Sequence, residues 1–275
     1  MKTRERKIKV GIVGCGAIGS RIARSITDEL SHDCVLTGLY DINIEKSFQL
    51  AKKLNLKKAI KTSLEDLIKG CSLMVEAVSA EDTKDIIRKA LSAKRSVLCM
   101  SVGKLLNAAE LFRLAKKNNC SLLVPSGAIA GLDAIKAAGL VGVDQVTLTT
   151  RKPTTGFRDN PYFRQRGIDL TKIKKETTLF HGRVDEAVKV FPQNINVAAT
   201  LALAGRCKRK LVIRIMTSPQ YKTNSHEIEM TGDFGRISTR TDNVVCPDNP
   251  RTSYLAVLSG IQTLKQFCTG ILIGT

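Results

Sequence analysis

The chain has 275 residues, 43% hydrophobic and 25% charged, which is enough apolar material for one large domain or two of roughly 150 residues. Its 44 basic residues outnumber 25 acidic ones, for a net charge of +19, but Trp is absent and aromatics are only 4%. The basic residues are spread along the chain with no aromatic platform for stacked bases, so small anions fit this charge better than nucleic acid.

No apolar run reaches the length that crosses a bilayer; the stretch 127–143 is broken by Asp133 and Lys136. Lys2, Arg4, Arg6 and Lys7 ahead of an apolar run look like the start of a signal peptide. The run is short and glycine-broken, and a first strand explains it better. The eight cysteines, at 15, 34, 71, 99, 120, 207, 246 and 268, form no C-x-x-C pair. Cys71, Cys99 and Cys120 are expected inside strands, as small buried hydrophobes. His32 and Cys34 lie close but have no second ligand pair, so no metal site is expected. The reading is a reduced, cytoplasmic protein with no nucleic-acid and no membrane partner.

Ile8, Val10, Ile12 and Val13 form a short run of the kind that becomes a buried strand. Gly14-Cys15-Gly16-Ala17-Ile18-Gly19 follows, a G-x-G-x-x-G turn. Beyond it Ile18, Ile22, Ile26 and Leu30 recur at i+4 and make one apolar helix stripe. Strand, glycine turn and helix together favour a dinucleotide pyrophosphate on the helix N-terminus, with Gly14, Gly16, Ala17, Ile18 and Gly19 around it. A second strand over 35–40 ends in Asp41, about 20 residues past the last glycine, where a carboxylate meets the adenosine ribose. Asp41 repels a 2′-phosphate, and Ile42 and Asn43 supply no arginine to hold one, so NAD is the expected cofactor.

The pattern then predicts a helix over 44–54, a short strand over 58–60 and a helix from Ser63 to Lys69 opened by a capping-box variant with Asp66. A strand over 73–75, helix 81–93, strand 96–100, helix 108–118 and strand 121–124 complete an alternation that implies a parallel sheet. Residues 1–125 therefore read as a Rossmann-type doubly wound α/β domain. Its ligand rim also holds 76–80 and 101–104, with Ser79 and Ser101 as candidate contacts and Lys104 as an anion partner.

After Pro125 the pattern changes. A small-residue loop, 126–131, enters a helix over 132–138. A strand over 146–151 leads to Lys152-Pro153, and the very basic 162–175 reads as a mobile loop. Helices are expected over 182–190 and 197–204, then antiparallel strands over 211–216, 226–230 and 235–241 with a hairpin turn at 231–233. Residues 126–249 thus form a second α+β domain with a mixed or antiparallel sheet, for substrate binding, catalysis and dimerisation. The final helix, within 250–275, packs back on the first domain.

His226 shares a strand face with Ile228 and Met230, while Glu227 and Glu229 face the other way. A histidine on a half-buried face, titrating near neutrality, is the best acid/base candidate. Spacing alone leaves a satisfied core histidine as the alternative.

The segments 127–134 (GAIAGLDA), 151–153 (RKP), 191–201 (FPQNINVAATL), 224–228 (NSHEI) and 248–253 (DNPRTS) strongly resemble the L-aspartate dehydrogenase family, in order and along essentially the whole chain. The resemblance implies NAD(P)-dependent oxidation of L-aspartate to iminoaspartate by a homodimer, the product feeding NAD biosynthesis or hydrolysing to oxaloacetate and ammonia. It places the active-site histidine on His226 and cofactor contacts on Ala130 and Asn196. The family uses both cofactors, so NADP stays possible beside NAD. Two substrate carboxylates need cations or N–H donors, and Lys104, Arg151 and Lys152 are the candidates. The rival readings are a two-domain NAD(P)-dependent reductase of a semialdehyde or cyclic imine, and a non-enzymatic NAD-binding regulator.

Overall fold

The computed structural model describes residues 7–78, 81–157, 160–191, 195–247 and 249–274. It divides into two units, Met1–Pro125 with Val257–Ile273, and Ser126–Ala256 with Gly274–Thr275. Ser79, residues 192–194 and Asp248 lie outside the described residues.

In the first unit β1 (Ile8–Val13), α1 (Ala17–Thr27), β2 (Cys34–Tyr40), α2 (Ile44–Lys53), α3 (Leu64–Gly70) and β3 (Leu73–Glu76) are followed by α4 (Thr83–Ser92), β4 (Ser96–Cys99), α5 (Ala109–Lys117) and β5 (Leu122–Leu123). The sheet order is β2-β1-β3-β4-β5, all parallel. This is the expected Rossmann-type sheet, its crevice at β1/β3 where the winding reverses. Val10, Ile12 and Val75 from the sheet and Ile22, Ala23 and Ile26 from α1 share one core. The i+4 stripe read from the sequence is thus what seats α1. Leu264 of α10 (Tyr254–Thr269) belongs to the same core, with Ile261 and Phe267 packed against it. Ser63 caps α3 by accepting from Asp66 N–H at 3.1 Å. The strand expected over 58–60 is instead a 3₁₀ turn, Lys57–Ala59, with only Ile60 bridging Leu39. Two solvated lysines leave that stretch too little apolar surface for a strand. Of the three cysteines expected in strands only Cys99 lies in one; Cys71 ends α3 and Cys120 precedes β5.

The second unit runs α6 (Leu132–Ala138), β6 (Val143–Pro153), α7 (Pro161–Gln165), β7 (Thr177–Arg183), α8 (Val184–Val190), α9 (Asn196–Ala204), β8 (Leu211–Ser218), β9 (Asn224–Gly232) and β10 (Gly235–Asn243). A two-stranded ribbon, β11 (Val245–Cys246) and β12 (Asn249–Ser253), leads into α10. The main sheet has the order β10-β9-β6-β8-β7. It is mixed, because β6 and β8 run parallel while the other pairs are antiparallel. The chain between β6 and β8 includes α8 and α9, and such a crossover is what allows two strands to run parallel. β7 is not read from the sequence: it is an edge strand in which only Leu179 is buried, so its alternation is weak. The stretch 162–175 is not a featureless loop. It carries the end of α7 and a 3₁₀ turn, Leu170–Lys172, and its Phe163 is buried against Phe157 and Phe191 at ring distances of 5.8 Å each.

Candidate functional site

The first unit supplies the nucleotide rim. Gly14 has φ +95°, and a Cβ there would lie 2.5 Å from the Ala77 carbonyl oxygen. A Cβ on Gly19 would overlap the Gly14 carbonyl oxygen, so only glycine lets α1 pack this closely on the turn. Gly16 caps α1 with no side-chain hydrogen bond, no acidic residue occupies the first turn, and the space where its side chain would stand is open. Free N–H groups, the positive helix end and open space are what a pyrophosphate requires, so these residues fit a dinucleotide. Ala17 begins α1, and Ile18 packs partly on the core. Asp41 closes the turn from below: one carboxylate oxygen accepts Cys15 N–H at 2.8 Å, the other Asn43 N–H at 2.9 Å. A carboxylate has about four lone-pair positions, so Asp41 retains acceptors for ribose hydroxyls. Burial and the Asp41 charge push the Cys15 thiol up to about 12, which leaves it a neutral packing group. Lys104 sits in the 3₁₀ turn Val102–Leu105 with its ammonium 3.0 Å from Glu81.

The second unit holds His226. The burial of β9 alternates as expected: His226, Ile228 and Met230 are buried and Glu229 is exposed. His226 lies opposite Thr150 of β6, and its Nδ1 is 3.0 Å from Thr150 Oγ1. Lys152 is two residues along β6 and shares that face. With Leu148, Thr150, Ile213 and Ile215 of the sheet, it lines a pocket closed by Phe157, Phe191, Ile195 and Ala198. Lys152 accordingly has its ammonium withdrawn from water, and burial brings it down to about 8. Burial first, and then the Lys152 charge, pull His226 down to about 3. The near-neutral titration expected from the sequence is therefore not that of His226 in this environment. The ring is neutral at physiological pH.

The other candidates separate. Arg151 alternates to the opposite face of β6, where its guanidinium is 2.6 Å from Glu227. Lys104 belongs to the first unit. Of the three proposed substrate cations only Lys152 shares a sheet face with His226. The loop at 126–131 lies along β10: Ala128 O accepts from Thr241 Oγ1 at 2.8 Å and Asn243 Nδ2 at 3.1 Å, and Ala130 O accepts from Thr239 Oγ1 at 3.3 Å. Thr241 is the cross-strand partner of His226, so the Ala130 loop and the histidine are neighbours. Asn196 is exposed at the start of α9. Thr150 is a partner the sequence reading missed. Its even spacing from Lys152, with His226 on the paired strand, is the only signal for it.

A family model described as the C-terminal domain of aspartate dehydrogenase matches residues 133–267, and one described as the NAD-binding domain of homoserine dehydrogenase matches residues 14–125. The L-aspartate dehydrogenase of Methanosarcina mazei is 45% identical over 98% of this chain and 100% of its own, and that of Methanosarcina acetivorans 43% over 98% and 100%. The crystal structure of aspartate dehydrogenase from Thermotoga maritima superposes with a TM-score of 0.71 at 24% identity, over 98% of this chain and 100% of that one.

Proposed function

The chain belongs to the L-aspartate dehydrogenase family, and on that premise we propose that it oxidises L-aspartate to iminoaspartate with NAD(P), His226 serving as the base. The nicotinamide, when bound, accepts the hydride that leaves Cα. The chain's own residues do the rest. The turn Gly14–Gly19 and the start of α1 hold the pyrophosphate, and Asp41 holds the adenosine ribose. Ala130 and Asn196 contact the cofactor. Lys152 pairs with a substrate carboxylate.

Hydride loss from Cα requires an uncharged amine, so a proton must move first. For His226 to take it at Nε2, Nδ1 must carry the ring hydrogen and donate it to Thr150 Oγ1, which fixes the tautomer and the ring plane. In the free protein burial first, and then the Lys152 ammonium, makes His226 a poor base. A bound dicarboxylate offsets that ammonium and returns the Lys152 share of proton affinity to the ring, so the imidazole becomes a better base when its substrate arrives. The same imidazole can then activate water for attack on the imine.

The observation that carries this reading is His226, buried on the inner sheet face, bonded to Thr150 and beside Lys152. The test is reduced-cofactor formation with L-aspartate and a panel of other amino acids, set beside reduced-cofactor consumption with semialdehydes and cyclic imines. Turnover confined to L-aspartate supports it. Turnover of a semialdehyde or cyclic imine alone, or cofactor binding without turnover, turns the case to the rivals. A homodimer, a cytoplasmic location and use of iminoaspartate in NAD biosynthesis belong to the same proposal. Among the described residues no helix is long and apolar enough to cross a membrane.

A further inference from the structure

Glu76 ends β3 on the nucleotide rim and is fully buried, outside the set of groups that contact cofactor or substrate. Four donors surround its carboxyl. Oε1 is 2.8 Å from Val78 N and 2.8 Å from Ser101 Oγ; Oε2 is 3.1 Å from Ser101 N and 3.2 Å from Cys99 Sγ. Ser101 Oγ also hydrogen-bonds to the Val78 carbonyl oxygen. A hydroxyl has one hydrogen, so Ser101 cannot donate to Glu76 and to Val78 together. With Glu76 ionised, one of those close oxygen pairs holds no hydrogen. The charge would also be buried without a cation, because no ion pair among the described residues reaches it. A hydrogen on Oε1 removes both difficulties: Oε1–H donates to Ser101 Oγ, and Ser101 O–H donates to Val78 O. Burial acts in the same direction on Glu76, and the Cys99 thiol beside it is likewise held neutral.

We propose that Glu76 is a positioning residue for the dinucleotide, a buried neutral carboxylic acid whose hydrogen ties the rim segment 76–78 to Ser101. Ala77 and Val78 are the wall against which the glycine turn packs, with the Ala77 oxygen 2.5 Å and Val78 Cγ1 2.8 Å from where a Gly14 Cβ would stand. Ala77 N–H bonds to Val13 O at 2.9 Å, and Met100 N–H to Glu76 O at 2.9 Å, so the clamp joins the ends of β1, β3 and β4. A shift of Val78 moves the turn that faces the pyrophosphate. This rests on the rim's being the cofactor site, although the protonation state does not.

The experiment uses the full chain and the variants Glu76→Gln and Ser101→Ala. Isotope-edited infrared spectroscopy with ¹³C-labelled glutamate is expected to show a protonated-carboxyl band at neutral pH that Glu76→Gln removes. The replacement side chain is neutral and of equal size, but its amide nitrogen in the Oε1 place leaves Val78 N–H without an acceptor. NADH binding by fluorescence, and KM for the cofactor, are then expected to weaken about tenfold, as one orphaned buried N–H corresponds to. Saturated kcat stays unchanged. A merely structural role would lower Tm and leave KM alone. A wild type without the protonated band overturns the neutral acid. A folded Glu76→Gln that binds NADH as tightly as wild type overturns the positioning role. If that variant does not fold, Ser101→Ala decides, since removing the middle hydroxyl must also weaken NADH binding. Wild type that fails to bind NADH at all would instead refute the rim as cofactor site, and the infrared band would still report on Glu76.

Discussion

Acidification should destabilise this protein through one side chain. An unfolded histidine takes up a proton near 6.5, whereas His226 in its buried place does so only near 3. Between those values the unfolded chain binds one more proton than the folded one, so stability falls as pH drops below 6.5 and is untouched above it. One pH unit corresponds to about 1.4 kcal/mol, and pH 5 lies 1.5 units below the unfolded value, so His226 alone withdraws about 2 kcal/mol there. The comparison that isolates it is urea unfolding of wild type and His226→Gln at pH 7 and pH 5. Other titrating groups are common to both proteins and cancel. Wild type should lose about 2 kcal/mol more than the variant over that interval. Only three histidines are present, so ¹⁵N imidazole spectra give an independent reading. Parallel losses in the two proteins, or a His226 resonance that titrates near 6.5 in the folded state, would refute the reasoning.

His226→Ala should lower kcat by about 10²–10⁴ with NADH binding kept; a lowered Tm with kcat intact would make it a core histidine. Lys152→Met should raise KM for L-aspartate and remove the fall in kcat/KM above about pH 8, where the ammonium loses its proton; Lys152→Arg should extend binding past that pH, and a profile indifferent to both changes rules the lysine out. Asp41→Ala should cut the NAD over NADP ratio of kcat/KM about tenfold or more, the scale of a hydrogen bond to a charged group. An unchanged ratio means Asp41 serves only the Cys15 and Asn43 amides.

What the sequence disclosed is what local spacing controls. The glycine turn and the i+4 stripe of α1 each depend on residues within a few turns of chain, and Asp41 on a characteristic spacing from the glycines at the end of the next strand, so all were legible. So was the face shared by His226, Ile228 and Met230, because strand alternation has a period of two. The same period separates Arg151 from Lys152, a distinction available once β6 is accepted as a strand through Pro153. The parallel pairing of β6 with β8 was not legible, since the crossover between them contains the weakly patterned β7. Neither was the acidity of His226. A residue's proton affinity follows from its burial and its neighbours, and here both Thr150 and Lys152 come from another strand, β6.

Those aromatic rings connect composition to chemistry. Aromatics are scarce in the chain, yet Phe157, Tyr162, Phe163, Phe180 and Phe191 gather in one cluster of edge-on and tilted pairs, with ring centroids 5.4–6.3 Å apart. Phe157 and Phe191 present their inner side to the pocket that Lys152 lines. Apolar walls withdraw the ammonium from water there, which lowers its proton affinity. An anion pairing with Lys152 there gains more than it would at an exposed basic side chain on the surface. The surface charge can draw a dicarboxylate toward the protein, but the aromatic wall is what makes a single lysine discriminate once the substrate arrives.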